Sequence, residues 1–595
     1  MRWREIIICF VSLLLAVALF FLAGSQLDTI NAERSRLRLT MERPQDIPPS
    51  IAFATVATGA FRGLVVDALW LRAERLKQEG QFFDAKQLAD WITILQPRFA
   101  TVWDFQSWNM AYNISATIPA SKPEERWRWV KNGIELLRDK AIPLNPYAIL
   151  LYQRLAFIFQ HKIGGVTDDA HYYYKLQLAL EMEPLLGPAD NEYFKALSNA
   201  PADWRQIVED ANFNGLISAL RSADKAFATS NPADFVGSYL TLRQMPQRFS
   251  PRAFGVIDEF RGSKTLERFD TFACSYQLRN VWKLEPEIME QMNQLYGPFD
   301  LGDPNRRLPL DWRHPDTHAL YWAYKGLKIA GRDKFSPDEA NTDRMINSSL
   351  QELFRQGKIY IYSAALPPQG AEDANSQAET RVVKAIYLRP DLRMFKPCNI
   401  STMAIIEKYK TLGAGSYSSM EIGHRNMLKN AVVSFYQAGH RREALEIYEQ
   451  LRKLYPLREF NVSIDVYVRE RFGEELLSLG LNDAREFIQM VLQEAYFYYA
   501  MRDDDQAAVN EKLAKEAYDL YQQRYGSGSE QRLGLPEFNR LKYIALIDFV
   551  NDYQYPYVLK ENLYRRIEIE KPDLYQELSR QRQQMIKEVE QSQQK

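Results

Sequence analysis

The chain has 595 residues, of which 46% are hydrophobic and 25% charged, a composition that excludes a disordered or collagen-like protein. Its 75 Lys and Arg residues balance 76 Asp and Glu residues, so no global basic field exists to attract nucleic acid. We therefore expect no nucleic-acid partner. The three cysteines, Cys9, Cys274 and Cys398, are too few for a disulfide-dense scaffold or a four-cysteine zinc module.

The N-terminus carries an almost wholly apolar run over residues 6–23, directly after Arg2 and Arg4. A helix of this length is just long enough to cross the hydrocarbon core of a bilayer, which is about 30 Å thick. The pattern predicts a signal anchor or transmembrane helix over residues 1–25, which makes the membrane a partner, and a juxtamembrane helical linker over 26–65. A cleaved signal peptide is the alternative.

The arginines on the two sides of this segment give opposing indications of its orientation. Arg2 and Arg4 favour a cytoplasmic N-terminus, whereas a positive-inside count favours the opposite topology because of Arg34, Arg36, Arg38 and Arg43. We give more weight to the two arginines that adjoin the segment, because acidic residues are interleaved with the later four. The sequence thus predicts a single-pass membrane protein whose body is extracytoplasmic, in the periplasm.

Between residues 66 and 190 the apolar spacing is helical and recurs in pairs of runs. Each pair contains two helical runs and a turn, and a proline stops the second run. The pairs and their closing prolines are 67–78 with 85–95 and Pro97, 100–117 with 123–141 and Pro146, and 149–161 with 169–181 and Pro184. Such internal repetition is typical of a solenoid.

The residues at fixed positions in these pairs resemble the tetratricopeptide repeat (TPR) family. In that family a large residue opens the first helix, a small residue follows four positions later, another small residue lies early in the second helix, and a proline ends the unit. The matching residues are Leu69, Ala73, Gly80, Ala85 and Pro97; Trp103, Ser107, Ala141 and Pro146; and Tyr152, Ala156, Ala179 and Pro184. A downstream copy contains Leu428, Val432, Phe435, Gly439, Ala444, Tyr448 and Pro456.

The resemblance implies a mainly all-α fold, a TPR-like solenoid of helical hairpins whose units bury their apolar faces against their neighbours. It also implies a concave groove, lined by the first helix of each pair, that holds extended peptides. By position, the groove candidates are Trp70, Glu74, Lys77, Asn109 and Asn113. The lysines and arginines of the carboxylate-clamp members are missing, so a C-terminal carboxylate is not the expected ligand.

The rest of the chain divides into four regions. Residues 191–300 are predicted to be helical, and 301–400 to be irregular, with an inserted β-hairpin from strands at 359–364 and 382–388. Residues 401–570 form a TPR-like and helical C-terminal region, and 571–595 form a charged tail. The Pro-, Gly- and Asp-rich connection at 297–316 is of a length that is usually functional or mobile.

One cluster in that connection carries metal-ligating residue types. Asp311, His314 and His318 could place two imidazoles and a carboxylate around a metal if both histidines shared one helix face. Pro315, however, favours the first position of a helix, which makes His314 a cap or loop residue, so no metal is predicted. Phosphate-binding loops and serine-nucleophile motifs are absent from the sequence, and we predict neither a cofactor nor an enzymatic activity. Cys274 and Cys398 either pair or are inert.

The sequence therefore predicts a membrane-tethered scaffold for protein–protein interaction or assembly in a bacterial-type cell envelope. One alternative is an envelope enzyme, or a metal- or small-ligand-binding protein, that uses the 300–325 loop. Another is a structural subunit of a secretion, transport or surface assembly. An enzyme should show a compact pocket near Asp311, His314 and His318, whereas a scaffold should show an open groove across residues 66–184.

Overall fold

The computed structural model describes residues 62–300, 305–329, 337–366, 381–411, 417–438, 440–477, 481–525, 535–551 and 557–573, with a few isolated positions besides. Within these ranges the regular structure is helical apart from one two-stranded sheet, so the fold is mainly α. No helix in this part of the chain has the length and apolar character needed to cross a bilayer. The predicted anchor at residues 6–23, Val11 excepted, and tail residues 581–595 lie outside the described residues.

The first eight helices follow the predicted runs closely. They are α1 (Arg62–Gln78), α2 (Phe82–Leu95), α3 (Ala100–Trp108), α4 (Ser115–Thr117), α5 (Pro123–Glu135), α6 (Ile142–Leu144), α7 (Ile149–Phe157) and α8 (His171–Met182). Three π-helical turns continue α3, α5 and α7, at Asn109–Ile114, Leu136–Ala141 and Ile158–Ile163. The helical runs predicted at 100–117 and 123–141 are therefore continuous, as expected.

These helices pack in the predicted pairs, with α1 against α2, α5 against the π-helical turn after α3, and α8 against the turn after α7. The small residues expected at the close contacts are all 0% exposed, and they are Ala73, Ala85, Ser107, Ala141, Ala156 and Ala179. Gly80 connects α1 to α2 with a φ of 77°, a left-handed conformation that favours glycine. A repeat-like helical fold is thus confirmed.

The π-helical turns were not predicted from the sequence. In both the second and third pairs, a nine-residue α-helix is followed by a six-residue π-helical segment. A π-helical turn widens the helix locally and is frequently found at functional sites. The two segments thus mark equivalent positions in neighbouring repeats.

The predicted helical region at 191–300 consists of seven helices. They are α9 (Asn191–Asn199), α10 (Trp204–Glu209), α11 (Ala211–Ala223), α12 (Pro232–Gln244), α13 (Pro251–Glu259), α14 (Lys264–Gln277) and α15 (Pro286–Tyr296). Side-chain oxygens cap the first six of these N-termini, which explains where those helices begin; the caps are Asp190, Asp203, Asp210, Asn231, Ser250 and Ser263.

After this region the chain returns to the repeats. Helix α16 (Pro315–Ile329) packs on α7 and is followed by α17 (Pro337–Gln356). The approach of α16 depends on Gly326, because a Cβ added there would lie 2.9 Å from Cβ of Tyr152. A side chain at this position would force the helices apart.

The predicted β-hairpin is present and slightly longer than expected. Strands β1 (Lys358–Leu366) and β2 (Arg381–Arg389) pair antiparallel, with Lys358 opposite Arg389. The hairpin packs on α8 through a small apolar cluster that includes Leu176, Ala179, Ile359 and Ile386. It thereby forms part of the wall of a cavity beside α8.

The remaining helices complete the main core and form a second one. They are α18 (Phe395–Thr411), α19 (Tyr417–Gln437), α20 (Arg441–Leu454), α21 (Ile464–Leu477), α22 (Leu481–Ala500), α23 (Asp504–Tyr525), α24 (Phe538–Asn551) and α25 (Tyr557–Glu570). The main core extends from Trp103 to Val468 and includes Leu428 and Ala444 of the downstream repeat copy. The second and third repeat pairs therefore share one hydrophobic core with the downstream copy. The first pair packs in a separate cluster that includes Ala73 and Ala85, and α22–α25 enclose another core.

Candidate functional site

The first three groove candidates lie together on α1 where it faces α3. The half-buried ring of Trp70 is 5.0 Å from the ring of Phe105 between centroids. Lys77 Nζ lies 5.1 Å from the centre of the same ring and donates a 3.3 Å hydrogen bond to Glu74. Trp70, Glu74 and Lys77 are thus brought together and are partly exposed.

The two asparagine candidates have different environments. Asn109 is 0% exposed, and its Nδ2 donates a 2.8 Å hydrogen bond to the carbonyl oxygen of Phe82 at the start of α2. Asn113 is half-buried and donates a 3.0 Å hydrogen bond from Nδ2 to Oδ1 of Asn109. Asn109 therefore links two helices in the interior instead of facing an open groove, while Asn113 stays within reach of solvent.

A stack of four aromatic rings lies on the neighbouring helices α3 and α7 and the π-helical turns that follow them. We call Trp108, Tyr112, Phe157 and His161 the aromatic face. Trp108 stacks on Tyr112 at 4.1 Å between ring centroids, and Phe157 stacks on His161 at 4.9 Å. The two pairs are joined by a stacked contact of 5.9 Å between Trp108 and Phe157. All four rings remain partly exposed.

Charged side chains hold the aromatic face in place. The Arg154 guanidinium lies 4.5 Å from the centre of the Trp108 ring and pairs with Asp104, Nη2 donating to Oδ2 at 3.1 Å. Burial, and then the charge of Lys162, lower the pKa of His161, so its ring is neutral at pH 7. The Tyr112 hydroxyl lies 3.4 Å from His161 Nδ1, and burial raises the pKa of this phenol. The face therefore combines rigid aromatic surface with a few oriented polar groups.

The two histidines of the metal hypothesis point into the protein. His314 donates from Nε2 to the carbonyl oxygen of Gln356 at 3.1 Å, and His318 donates from Nε2 to that of Trp312 at 2.9 Å. Both residues are about 1% exposed or less, and burial lowers both pKa values to about 4. They are consequently neutral structural groups of the interior.

Asp311 is turned the other way and forms an ion pair with Arg313, Nη2 donating to Oδ2 at 2.8 Å. Its carboxylate is therefore engaged by a guanidinium rather than by an imidazole. Among the residues that the structure describes, no group of three His, Cys, Asp or Glu side chains is placed to hold a metal.

A buried ionic network lies next to the π-helical turn after α7. Asp168 is 8% exposed and accepts hydrogen bonds from Arg126 Nη1 at 3.1 Å and from the main-chain N–H of Ala170 at 2.9 Å. Lys162 Nζ forms an ion pair with the other carboxylate oxygen of Asp168, at 2.6 Å. Burial would raise the pKa of Asp168, but these hydrogen bonds and positive charges outweigh burial and lower it.

Asp316, in the first turn of α16, is a contrasting carboxyl group that sequence analysis missed. It is 0% exposed, and neither of its carboxylate oxygens makes a hydrogen bond. Burial, followed by the charge of Glu352, raises its pKa well above the usual value. Burial also lowers the pKa of Lys175 to about 8. The positive charge of Lys175 acts on Asp316 and opposes the rise of its pKa. The sequence shows only an aspartate after a helix-starting proline, which is normally exposed.

A cavity lies beside this region, between the 298–313 connection and β1. Its volume is about 410 Å³, and its lining includes Asp311 and Arg313 but neither His314 nor His318. Asp391 and Arg393, which follow β2, line the opposite part of the wall with Lys358 and Tyr360 of β1. The compact pocket expected near Asp311 is therefore present, but the histidines do not contribute to it.

The cysteines of the described region are free thiols. Cys274 and Cys398 are both buried, and neither forms a disulfide. Burial raises their pKa values to about 11 and about 12 respectively. Of the two possibilities left open by the sequence, inert thiols describe these residues, because reactivity requires an accessible thiolate.

Comparison with known proteins gives little further information. No protein-family model matches the chain, and no curated protein matches it either. Among solved structures, the chain is similar to a "Circular tandem repeat protein with novel repeat topology and enhanced subunit contact surfaces". The identity is 10% and the TM-score 0.18, over 91% of this chain and 99% of that chain. A score this low supports no argument about function, so the site must be interpreted from its own geometry.

Proposed function

We propose that this protein is a membrane-tethered, TPR-like scaffold that binds a protein partner in a bacterial-type cell envelope. The support comes from the paired helices, the core that the second and third repeat pairs share with the downstream copy, and the N-terminal apolar run. Solenoids of helix pairs offer extended surfaces for binding. Tethering would confine the scaffold to two dimensions and raise the effective concentration of membrane-associated partners.

The aromatic face carries this proposal. Aromatic and arginine side chains dominate the energetics of protein interfaces, because they bury a large area at a small entropic cost. Here four rings are stacked in advance, and Arg154 is fixed above Trp108 by its ion pair with Asp104. Because the rings are partly exposed, an apolar side chain of a partner could cover them without rearrangement.

The predicted groove residues extend this surface along the repeats. Trp70, Glu74 and Lys77 supply the same combination of aromatic and charged groups on α1, and Asn113 supplies a half-buried amide on the π-helical turn after α3. We propose that an extended peptide segment of the partner binds along these residues, with its apolar side chains on the aromatic face. Asn109 would act as a positioning residue for Asn113, since the two side chains are hydrogen bonded.

The direct test is affinity purification of the tagged full-length protein from its native membrane in mild detergent, with partners quantified by mass spectrometry. We expect a stoichiometric partner whose recovery falls by at least about tenfold in Trp108→Ala, since loss of one interface hot spot costs about 2 kcal/mol or more. The matched control is Trp91→Ala, which removes an aromatic side chain that is 49% exposed on α2, outside the aromatic face.

The outcomes separate the alternatives. Equal recovery in both variants would show that the aromatic face is not the binding surface. A partner without which the full-length chain is unstable would identify an obligate subunit of a larger assembly. A clean monomer or homo-oligomer would contradict the scaffold.

The proposed topology needs its own experiment. A reporter that is active only outside the cytoplasm, fused after Lys595, should be active if the body is extracytoplasmic. A silent reporter, with an active cytoplasmic reporter at the same position, would reverse the orientation.

A further inference from the structure

The cavity beside β1 is flanked by two turns of the same sequence form, Asp-X-Arg. In the first, Arg313 donates to Asp311 from Nε at 3.0 Å and from Nη2 at 2.8 Å. In the second, Arg393 donates to Asp391 from Nε at 2.8 Å and from Nη2 at 2.8 Å. In both turns the arginine main-chain N–H also donates to the aspartate, at 3.0 Å and 3.2 Å. Two guanidinium groups that line the same cavity are thus each held side-on by an aspartate carboxylate, with the same hydrogen-bond pattern.

This geometry leaves one edge of each guanidinium for another acceptor. A guanidinium has five N–H groups, and a side-on carboxylate occupies the Nε and Nη2 edge. Nη1 of Arg313 meets Glu183 at 3.3 Å, a long contact to a side chain that is 48% exposed. Nη1 of Arg393 makes no hydrogen bond with the described residues. The orientation of each arginine is therefore fixed by its aspartate, and the N–H groups at Nη1 can still donate to a further acceptor.

The charges that line the cavity balance in number, with Arg313, Arg393 and Lys358 against Asp311, Asp391 and Glu183. Asp311 and Asp391 each neutralise the arginine two residues later, and Lys358 adds a positive charge that forms no ion pair within the described part of the chain. Glu183 counts for less, because its half-exposed carboxylate is screened by water. A ligand with one carboxylate would therefore replace Glu183 at Arg313 and meet the ammonium of Lys358.

The remaining wall is apolar and small. Leu186, Pro309, Trp312, Leu353, Ile359 and Met394 are among the residues that line the cavity of about 410 Å³. This volume lies toward the lower end of the range for small-molecule sites, which are mostly apolar with a few convergent polar groups. An aromatic or branched aliphatic body would fill this space, and its charged end would meet the guanidinium groups.

We propose that this cavity binds a small organic acid, with its single carboxylate held by Arg313, Arg393 and Lys358 and its apolar body against Pro309 and Tyr360, which are partly exposed. The cavity shares no lining residue with the aromatic face, and the proposal does not depend on the scaffold function. Neither His314 nor His318 takes part, because both are turned into the interior.

The test uses the purified full-length protein in detergent micelles, titrated with benzoate and with benzamide at constant salt by isothermal titration calorimetry. The two probes have nearly the same shape, but only benzoate is charged. We expect saturable binding of benzoate, and binding of benzamide that is weaker by at least about tenfold, the effect of about one charge-assisted hydrogen bond.

Two variants at the rim give opposite predicted effects and leave the Asp-X-Arg pairs intact, and a third alters one of those pairs. Lys358→Gln should weaken benzoate binding several-fold, and Glu183→Gln should strengthen it, because Glu183 competes for Arg313. Arg393→Lys keeps the charge but loses the planar fork, so it should also weaken binding. Arg243→Lys is the matched control, because Arg243 makes the same side-on pair with Asp270 outside the cavity and should have no effect.

Three results would overturn the proposal. The first is the absence of saturable benzoate binding, and the second is equal affinity for benzamide, which would indicate an apolar site that ignores charge. The third is benzoate binding that changes with neither Lys358→Gln nor Glu183→Gln. Both of these residues are partly exposed, so the test stands even where Arg393→Lys fails to fold.

Discussion

Two buried aspartates on neighbouring elements illustrate opposite ways of placing a carboxyl group in the interior. Asp168 accepts hydrogen bonds from Arg126 and Ala170 and is paired with Lys162, whereas the carboxylate of Asp316 accepts none. Both side chains are at most 8% exposed. Accordingly, the pKa of Asp168 is lowered and that of Asp316 is raised. Burial alone does not decide the charge of a carboxyl group; the donors and cations around it do.

The difference also separates structural roles. The negative charge of Asp168 forms ion pairs with two buried cations, Arg126 and Lys162. These pairs connect α5, the π-helical turn after α7 and the segment before α8. At Asp316, the carboxyl is held toward its neutral form next to His314, whose Nδ1 accepts the main-chain N–H of Asp316 at 3.1 Å. The first residue stabilises the fold through its charge, and the second costs stability whenever it ionises.

The largest predicted effect is that of Asp168→Asn, which keeps the shape of the side chain and removes its charge. Lys162 would then be buried without a counter-ion and Arg126 would keep only the exposed carboxylate of Asp169, so we expect the free energy of unfolding at pH 7 to fall by about 3–5 kcal/mol. Chemical denaturation with circular dichroism measures this. The control is Asp169→Asn, whose side chain is 70% exposed and lies 3.8 Å from Arg126. Equal effects of the two variants would contradict the interpretation of Asp168.

A smaller effect is expected from the buried histidines beside Asp316. His314 and His318 have a pKa of about 4 in the folded protein, against 6.5 when unperturbed, because burial disfavours the charged ring. Their contribution to stability is therefore complete above pH 6.5 and is lost as the pH falls from 6.5 through about 4. Each should account for about 2–3 kcal/mol of acid destabilisation.

The measurement is the free energy of unfolding between pH 4 and 7 for the wild type and for His318→Gln. A packing defect lowers the curve equally at every pH, whereas loss of the titrating group makes it less steep. An unchanged slope in this range would show that His318 does not titrate as predicted.

The smallest effect, and one of opposite sign, is predicted for Asp316→Asn. Because the folded pKa is raised, the contribution of Asp316 to stability is most favourable below the ordinary aspartate pKa of 3.8 and is lost as the pH rises through the folded value. Removing the ionisable group should therefore stabilise the protein at pH 7 by about 1–2 kcal/mol. Thermal unfolding at pH 4 and pH 7 measures the gain.

A second variant tests the cause of the raised pKa. Glu352→Gln removes the negative charge that adds to the effect of burial on Asp316 and should reduce the pH dependence without abolishing it. A loss of stability in Asp316→Asn at pH 7 would show that Asp316 is ionised and stabilises the fold through an ion pair. It would then resemble Asp168, which would contradict the interpretation of Asp316.

The helical organisation could be predicted well from the sequence because it depends on local signals. Apolar periodicity and closing prolines located the runs at 100–117 and 123–141, and β-branched and aromatic residues located the hairpin. The small residues of the repeat pattern, such as Ala73 and Ala156, were assigned to close helix contacts and are buried there. These features follow from sequence spacing because each is a property of one or two adjacent elements.

The candidate sites were predicted less completely. Trp108 with Tyr112, and Phe157 with His161, have the spacing of one helix face, yet nothing in the sequence shows that the two faces stack. The two Asp-X-Arg turns, each followed by a proline within four residues, were a visible signal that sequence analysis did not use. Asn109 matched a groove position in spacing but is buried, because the π-helical turn at that point directs it toward α2.

The sequence by itself determined which segments form helices, where the pairs end and where the hairpin is inserted, because these depend on periodicity, glycine and proline. Only the tertiary structure decided that α16 returns to pack on α7 after the seven helices of the 191–300 region, and that β1 closes a cavity against the connection at 298–313. The contact between α16 and α7 joins residues more than a hundred positions apart. The position of such contacts is set by the complementarity of surfaces such as Gly326 against Tyr152, which no local pattern encodes.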